Sequence, residues 1–177
     1  PKQLAQVGGV PLLLAAVMRA TAIAGHDVSV VLGAHAAELA PLLRRSSATV
    51  VVNRHWAEGL ASSLRTGIAQ LPGSTAAVLV TLADQAAVTE ADLRRLVAAW
   101  RRQPDWLAAA SYDGHTGVPA IFPSHAFPAL LELRGDVGAR PVLSRLADRC
   151  VRVAMPSAAI DIDTPEDLRR LQEPPGG

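Results

Sequence analysis

The clearest block of apolar positions is residues 77–82, AVLVTL, in which Val78, Val80 and Thr81 are β-branched. A short run that is apolar on both faces predicts a strand inside a parallel sheet covered by helices on either side. Shorter apolar runs at 28–32, 49–52, 151–155 and 159–162 predict further strands. Stretches with helical spacing lie between them. Leu12, Leu13, Val17, Ala20 and Ile23 predict a helix that starts at Pro11 and stops at Gly25. Residues 34–45 read as helical with a break at Pro41, and 60–71 as a helix stopped by Pro72-Gly73. Thr89 with Asp92 three positions on predicts a capping box, backed by a buried stripe of Leu93, Leu96, Val97 and Trp100.

Residues 105–112 and 117–122 are separated by only four positions. No crossover fits in that space, so the spacing predicts an antiparallel hairpin. Ser124 is a candidate cap for a short helix through Leu133, and a further helix is expected between the glycine-containing loop 134–140 and Ala147. Thr164, Pro165 and Asp167 mark the start of a last helix as N-cap, N1 and N3. The alternation defines an α/β protein, a three-layer domain with a mixed, mostly parallel sheet. One domain over residues 1–173 is expected, with 174–177 (PPGG) as a disordered tail.

Composition narrows this picture. Half of the residues are apolar but only 3% are aromatic, so the core must be built from Ala, Leu and Val. A net charge of +1 supplies no electrostatic case for nucleic acid or for an acidic membrane surface. There is no apolar span of 18 residues and no signal-peptide pattern, which makes the cytoplasm the expected compartment. Cys150 is the single cysteine; a disulfide within the chain and a cysteine zinc cluster are excluded, and a small buried apolar role is expected.

Candidate chemistry centres on carboxylates. Asp84 stands two residues beyond the 77–82 strand, in the crevice where open α/β sheets bind ligands. Asp161 and Asp163 flank the end of another predicted strand, and together the three could converge on a hard cation such as magnesium. Asp163 serves equally well as a turn or capping residue before Thr164. Against 16 arginines the chain has one lysine, Lys2, and composition allows two readings equally, a position that wants a compact ammonium in place of a planar fork, or chance. Carboxylates with a lysine suit phosphoryl or nucleotidyl transfer, where positioning and charge neutralisation dominate. Neither a Walker A pattern, nor G-x-G-x-x-G, nor a G-x-S-x-G elbow occurs. The five histidines are scattered without H-E-x-x-H spacing, although His55 and His115 fall in candidate site loops.

Several segments, in order, carry a resemblance: Pro1-Lys-Gln-Leu4 with Gly8-Gly-Val-Pro-Leu12, then Trp56-Ala-Glu-Gly-Leu-Ala-Ser-Ser-Leu64, Leu79-Val-Thr-Leu-Ala-Asp-Gln85, Gly117-Val-Pro-Ala-Ile-Phe122, Gly135-Asp-Val-Gly-Ala-Arg140 and Asp161-Ile-Asp-Thr-Pro-Glu-Asp167. Together they resemble the MobA-like nucleotidyltransferases, in the molybdenum-cofactor cytidylyltransferase branch. The resemblance implies a Rossmann-like nucleotidyltransferase fold. It also implies magnesium-dependent transfer of CMP from CTP to the terminal phosphate of molybdenum-bound molybdopterin, with release of pyrophosphate. Lys2 would contact the nucleotide phosphates and Asp84 would hold magnesium, with Asp161 and Asp163 as the second acidic contribution. Gly59, Ser62 and Ser63 would lie at the nucleotide pocket, where a helix N-terminus offers amides. Gln85, Gly117, Pro119, Asp136 and Arg140 would face the pterin or its phosphate. Transfer of GMP or AMP to a related acceptor is the neighbouring alternative. Another is a non-catalytic module that delivers the cofactor to a molybdoenzyme or its chaperone. The family begins with a strand and a loop resembling L-A-A-G-x-S-x-R-M-G, and this chain starts just after them, so the chain as it stands is expected to be poorly active.

Overall fold

Gly8 and Gly9, at φ +58° and +82°, turn the first hairpin between β1 (Gln6–Val7) and β2 (Val10–Pro11), after a 3-10 turn at Lys2–Leu4. Positive φ at both central positions matches the twist of a two-residue hairpin, which side chains disfavour. The computed structural model describes residues 1–162 together with Glu166 and Asp167. Asp163, the expected cap at Thr164 and Pro165, and the 174–177 tail lie outside the described residues. Helix α1 (Leu12–Ala24) ends at Gly25, again at positive φ. Strand β3 (Ser29–Leu32) leads to α2 (Ala36–Leu39), which tightens at Pro41 into a 3-10 turn over Ala40–Leu43. Then follow β4 (Thr49–Val52), α3 (Leu60–Ala69), β5 (Ala77–Val80) and α4 (Glu90–Arg101). Strands β6 (Leu107–Tyr112) and β7 (His115–Pro123) precede α5 (Phe127–Leu131), α6 (Arg140–Arg145) and β8 (Cys150–Ala154).

The expected mixed α/β architecture is present. Among the described residues β3 and β4 form a parallel pair, and a separate sheet runs β5-β7-β6-β8. In that sheet β7 is antiparallel to both neighbours, whereas β6 and β8 are parallel. Three local expectations change. Strand β5 was expected between parallel neighbours, but its partner is antiparallel β7; an apolar run reports burial and says nothing of direction. The hairpin is tighter than anticipated, turning on Asp113 and Gly114, both at positive φ. Residues 159–162 are not a strand: Ala159 closes a 3-10 turn over Pro156–Ala159, and the Ile162 amide that follows bonds the Asp84 carbonyl instead of a strand.

Alternation along β6 divides the core in two. Ala108 and Ala110 face α4, with Leu93, Leu96 and Met155; Leu107 and Ala109 face the other side, with Phe122, Leu130, Val142 and Leu143. All four β6 residues are essentially fully buried, and their small side chains leave room for the flanking helices. A third cluster joins Leu13 and Val17 of α1 to Leu32, Leu39 and Leu43, and Ala83 packs against it. The chain leaving β5 therefore touches the β3–β4 unit. The pairings bring the C-terminal ends of β5, β6 and β8 and the start of β7 to one edge, where Asp84 stands. Strand β7 carries a bulge at this edge: Ala109 opposes Ala120 but Ala110 opposes Gly117, leaving Val118 and Pro119 out of register. Proline has no amide to lose there, and the displaced Val118 carbonyl is free for side chains.

Candidate active site

Asp84 follows β5 by four residues and is held by its neighbours. Its backbone carbonyl accepts from Ala86 at 2.9 Å and from Ile162 at 3.0 Å. The second bond sets Asp161 in the chain position next to the one pinned on Asp84. The side chain is mostly covered, and Oδ2 receives Lys2 Nζ at 2.7 Å. Oδ1 is buried without a hydrogen-bond partner among the described residues. A buried carboxylate oxygen without a partner is costly, so this atom is suited to a cation. Lys2 was expected at nucleotide phosphates. Here its ammonium lies on the carboxylate, as a compact charge on a flexible stem can.

Gln85 is 2% exposed, against the expectation that it faces a substrate. Its Nε2 donates to the Val118 carbonyl at 3.0 Å and to the Ala158 carbonyl at 2.9 Å, tying the β7 bulge to the segment that leads into Asp161. Oε1 remains buried and unpaired beside a cavity of about 10 Å³ lined in part by Arg19 and Pro119. That is room for about one water molecule, and burial there pulls the Arg19 pKa down. Gly117 and Pro119 are also buried, so neither presents a surface to a ligand. The Val118-Pro119 peptide is cis. Gly117 lies under the Tyr112 hydroxyl, where a Cβ would collide. Burial raises the Tyr112 pKa, the Asp161 and Asp113 carboxylates raise it further, and Arg140 opposes them.

The loop after β4 is organised by Asn53, a residue that the sequence marks only as a strand end. It is 1% exposed, and its Nδ2 donates to Ser62 Oγ at 2.7 Å and Ser63 Oγ at 3.0 Å, while Oδ1 accepts from the His55 amide at 2.9 Å. The Ser62 hydroxyl in turn reaches the His55 and Gly59 carbonyls, each at 2.9 Å. Ser62 is thus committed to holding the loop, and the half-buried Ser63 is the more accessible of the two. A polar side chain directly after an apolar strand was the only available signal for Asn53.

Gly59, at φ +98°, makes the closest backbone approach in the site. A Cβ there would sit 2.6 Å from the Gly135 carbonyl and the Asp136 amide. Across this contact Leu60 N–H donates to Asp136 Oδ1 at 3.1 Å and Ala61 N–H to the Gly135 carbonyl at 3.2 Å. The Ser62 amide bonds the Gly59 carbonyl at 3.0 Å. The first amides of α3, expected to be offered to a nucleotide, are therefore engaged within the protein, and Asp136 acts as their cap. Arg140 opens α6 and is exposed.

Magnesium uses one or two carboxylates when phosphates and water complete its shell. Asp84, with its unpaired Oδ1, and Asp161 fit that donor chemistry. Among the described residues no three His, Cys, Asp or Glu side chains gather into a cage made by protein alone.

Helices packed on a mixed sheet, with a lysine-paired carboxylate beyond the strand ends, suit nucleotidyl-transfer chemistry. Residues 1–150 match the MobA-like NTP transferase domain, and the chain belongs to that family. It is 29% identical over 157 residues to a nicotine blue oxidoreductase of Paenarthrobacter nicotinovorans, covering 82% of this chain and 75% of that protein. The crystal structure of an Rv0371c–manganese complex from Mycobacterium tuberculosis H37Rv superposes with a TM-score of 0.79 at 26% identity, covering 97% of this chain and 91% of that one. A nucleotidyl transferase from Methanothermobacter gives a TM-score of 0.77 at 26% identity, covering 97% and 83%. No helix among the described residues is long and apolar enough to cross a membrane.

Proposed function

We propose that the complete protein transfers CMP from CTP to a phosphate of a molybdopterin-type acceptor. An acceptor phosphate oxygen attacks the α-phosphorus of CTP, the bond to the β-phosphate breaks, and pyrophosphate leaves. The observation that supports this reading best is Asp84: a carboxylate at the end of β5 with one oxygen on Lys2, one without a partner, and Asp161 brought close by the Ile162 bond. Magnesium, held by Asp84 with Asp161 and Asp163, would supply charge neutralisation at the triphosphate. Lys2, a compact ammonium on a flexible stem beside the same carboxylate, would contact the nucleotide phosphates. Asn53, Ser62 and Gly59 shape the nucleotide side, and Gln85 holds the bulge and the Asp161 segment in place.

The test is pyrophosphate release by the full-length protein with CTP, magnesium and molybdenum cofactor, repeated with Asp84→Asn. Release that survives this substitution removes the metal assignment. Competition among CTP, GTP and ATP decides the base. Cofactor binding by a protein with no nucleotide affinity would instead favour delivery to a molybdoenzyme or its chaperone.

A further inference from the structure

Arg19 lies within α1 and is half-buried, yet among the described residues it has neither a carboxylate nor a hydrogen-bond partner. Arg65, which is also largely covered, is by contrast satisfied by the Glu58 carboxylate and the Leu133 carbonyl. A guanidinium keeps its charge at any ordinary pH, so its covered N–H groups call for an oxygen. Arg19 lines the cavity of about 10 Å³ together with Gln85, Thr81 and apolar side chains that include Val88 and Leu93. Among the described residues no carboxylate lines it.

Gln85 brings the matching requirement. Both Nε2 hydrogens are engaged by the Val118 and Ala158 carbonyls. That fixes which way round the amide lies, since the reverse would set Oε1 against two carbonyl oxygens. Oε1 is left as a buried acceptor without a partner, on a residue that lines the cavity. One wall of this small space thus carries unpaired N–H donors and another an unpaired carbonyl oxygen. The two groups do not bond directly, and the space between them suits one water molecule, which accepts from the first and donates to the second. Thr81 adds a residue with a hydroxyl as a further contact.

The consequence runs through Gln85. It follows Asp84 directly in the chain, and its amide ties the β7 bulge at Val118 to Ala158, just before Asp161. A contact that holds the remaining side of this amide therefore steadies the segments that carry both carboxylates.

We propose that one internal water bridges Arg19 to Gln85 Oε1, and that Arg19 is thereby a positioning residue for the Asp84–Asp161 site. The hydration site rests on the cavity and its polar groups, whereas the effect on a bound cation rests on the metal reading above.

The experiment uses the full-length protein in two arms. The first is water-selective NMR on metal-free protein. Val88 and Leu93 are 4% and 1% exposed, out of reach of bulk solvent, so cross-relaxation between their methyl protons and water reports an internal molecule. The signal should persist in Thr81→Val, which removes a hydroxyl that could relay it, and should be lost in Arg19→Met. The second arm is a titration with manganese, a divalent ion that takes the same oxygen donors as magnesium, followed by the electron paramagnetic resonance of the free ion. Arg19→Met should weaken binding about threefold or more, the scale of one net hydrogen bond. Arg19→Lys should recover most of that loss, because an ammonium on a long stem can donate to the same water; a role in packing alone would give no such rescue. Absence of the water signal in wild type, or equal manganese affinity in wild type and Arg19→Met, would overturn the proposal. A wild type that shows the water but binds no manganese would overturn the metal reading, and the positioning role with it, while the hydration site stands.

Discussion

The Ile162 amide donates to the Asp84 carbonyl at 3.0 Å, so the segment that follows Ala159 is fastened to the turn after β5. Through this backbone bond Asp161 is positioned without any contact between the two carboxylates being required. A side-chain substitution at either acid leaves the bond in place, which makes both positions suitable for clean tests of chemistry.

Asp84→Asn should lower pyrophosphate release by about a hundredfold or more, as loss of a charge-stabilising group does. Lys2→Met should cost under about 1 kcal/mol of stability, because the ammonium is well exposed and such pairs are screened. Initial rates and urea midpoints measured on the same variants separate the two effects. A large stability loss for Lys2→Met would show that the pair is structural.

Gly59→Ala should destabilise by about 2 kcal/mol or more. The new methyl group meets backbone at 2.6 Å, and φ +98° is unfavourable for any side chain. Thermal unfolding checks this, and a neutral result would mean that the loop carrying Gly135 and Asp136 yields easily.

Gln85→Leu leaves the Val118 and Ala158 carbonyls without their donor and should cost about 1–3 kcal/mol. Because one of these bonds anchors the segment before Asp161, magnesium–CTP affinity measured calorimetrically should fall as well. Unchanged stability would indicate that water replaces both bonds.

Asp92 gives a pH signature. Partial burial pushes its pKa up, but hydrogen bonds from the Thr89 amide and hydroxyl, Ser157 and Arg95 outweigh that and hold it below the usual value. A depressed folded pKa means that the stabilisation is fully present above the ordinary carboxylate pKa and is lost as pH falls through the folded value. Asp92→Ala should cost about 1 kcal/mol at neutral pH, as loss of a capping interaction does, and progressively less in acid. Urea midpoints at pH 7 and pH 3 measure the difference.

Cys150 should resist maleimide at neutral pH in the folded protein and react on unfolding. Burial pushes its thiol pKa up, with Arg152 opposing, and the thiolate is the reactive species. Rapid labelling of native protein would contradict this.

Local chemistry was legible where its partners are local. The Thr89–Asp92 box, the break at Pro41 and the stop at Gly25 each need only a few residues, and each is present. Asp84 could be placed beyond a strand for the same reason. Gln85 could not be understood in this way: its acceptors are a bulge carbonyl on β7 and a carbonyl just before Asp161, both distant in sequence. The resemblance implies that Asp136 faces the pterin or its phosphate; its bond to the first amide of α3 shows only once that helix is folded against it. The direction of β5 was hidden because burial on both faces is compatible with either polarity.

The close passage of Gly59 against Gly135 and Asp136 makes two distant loops a single engineering unit. Neither can be lengthened, shortened or exchanged with a homologue on its own, because the replacement backbone must still fit where there is no space for one carbon atom. Loop exchange in this scaffold therefore calls for residues 53–60 and 134–138 to be replaced together.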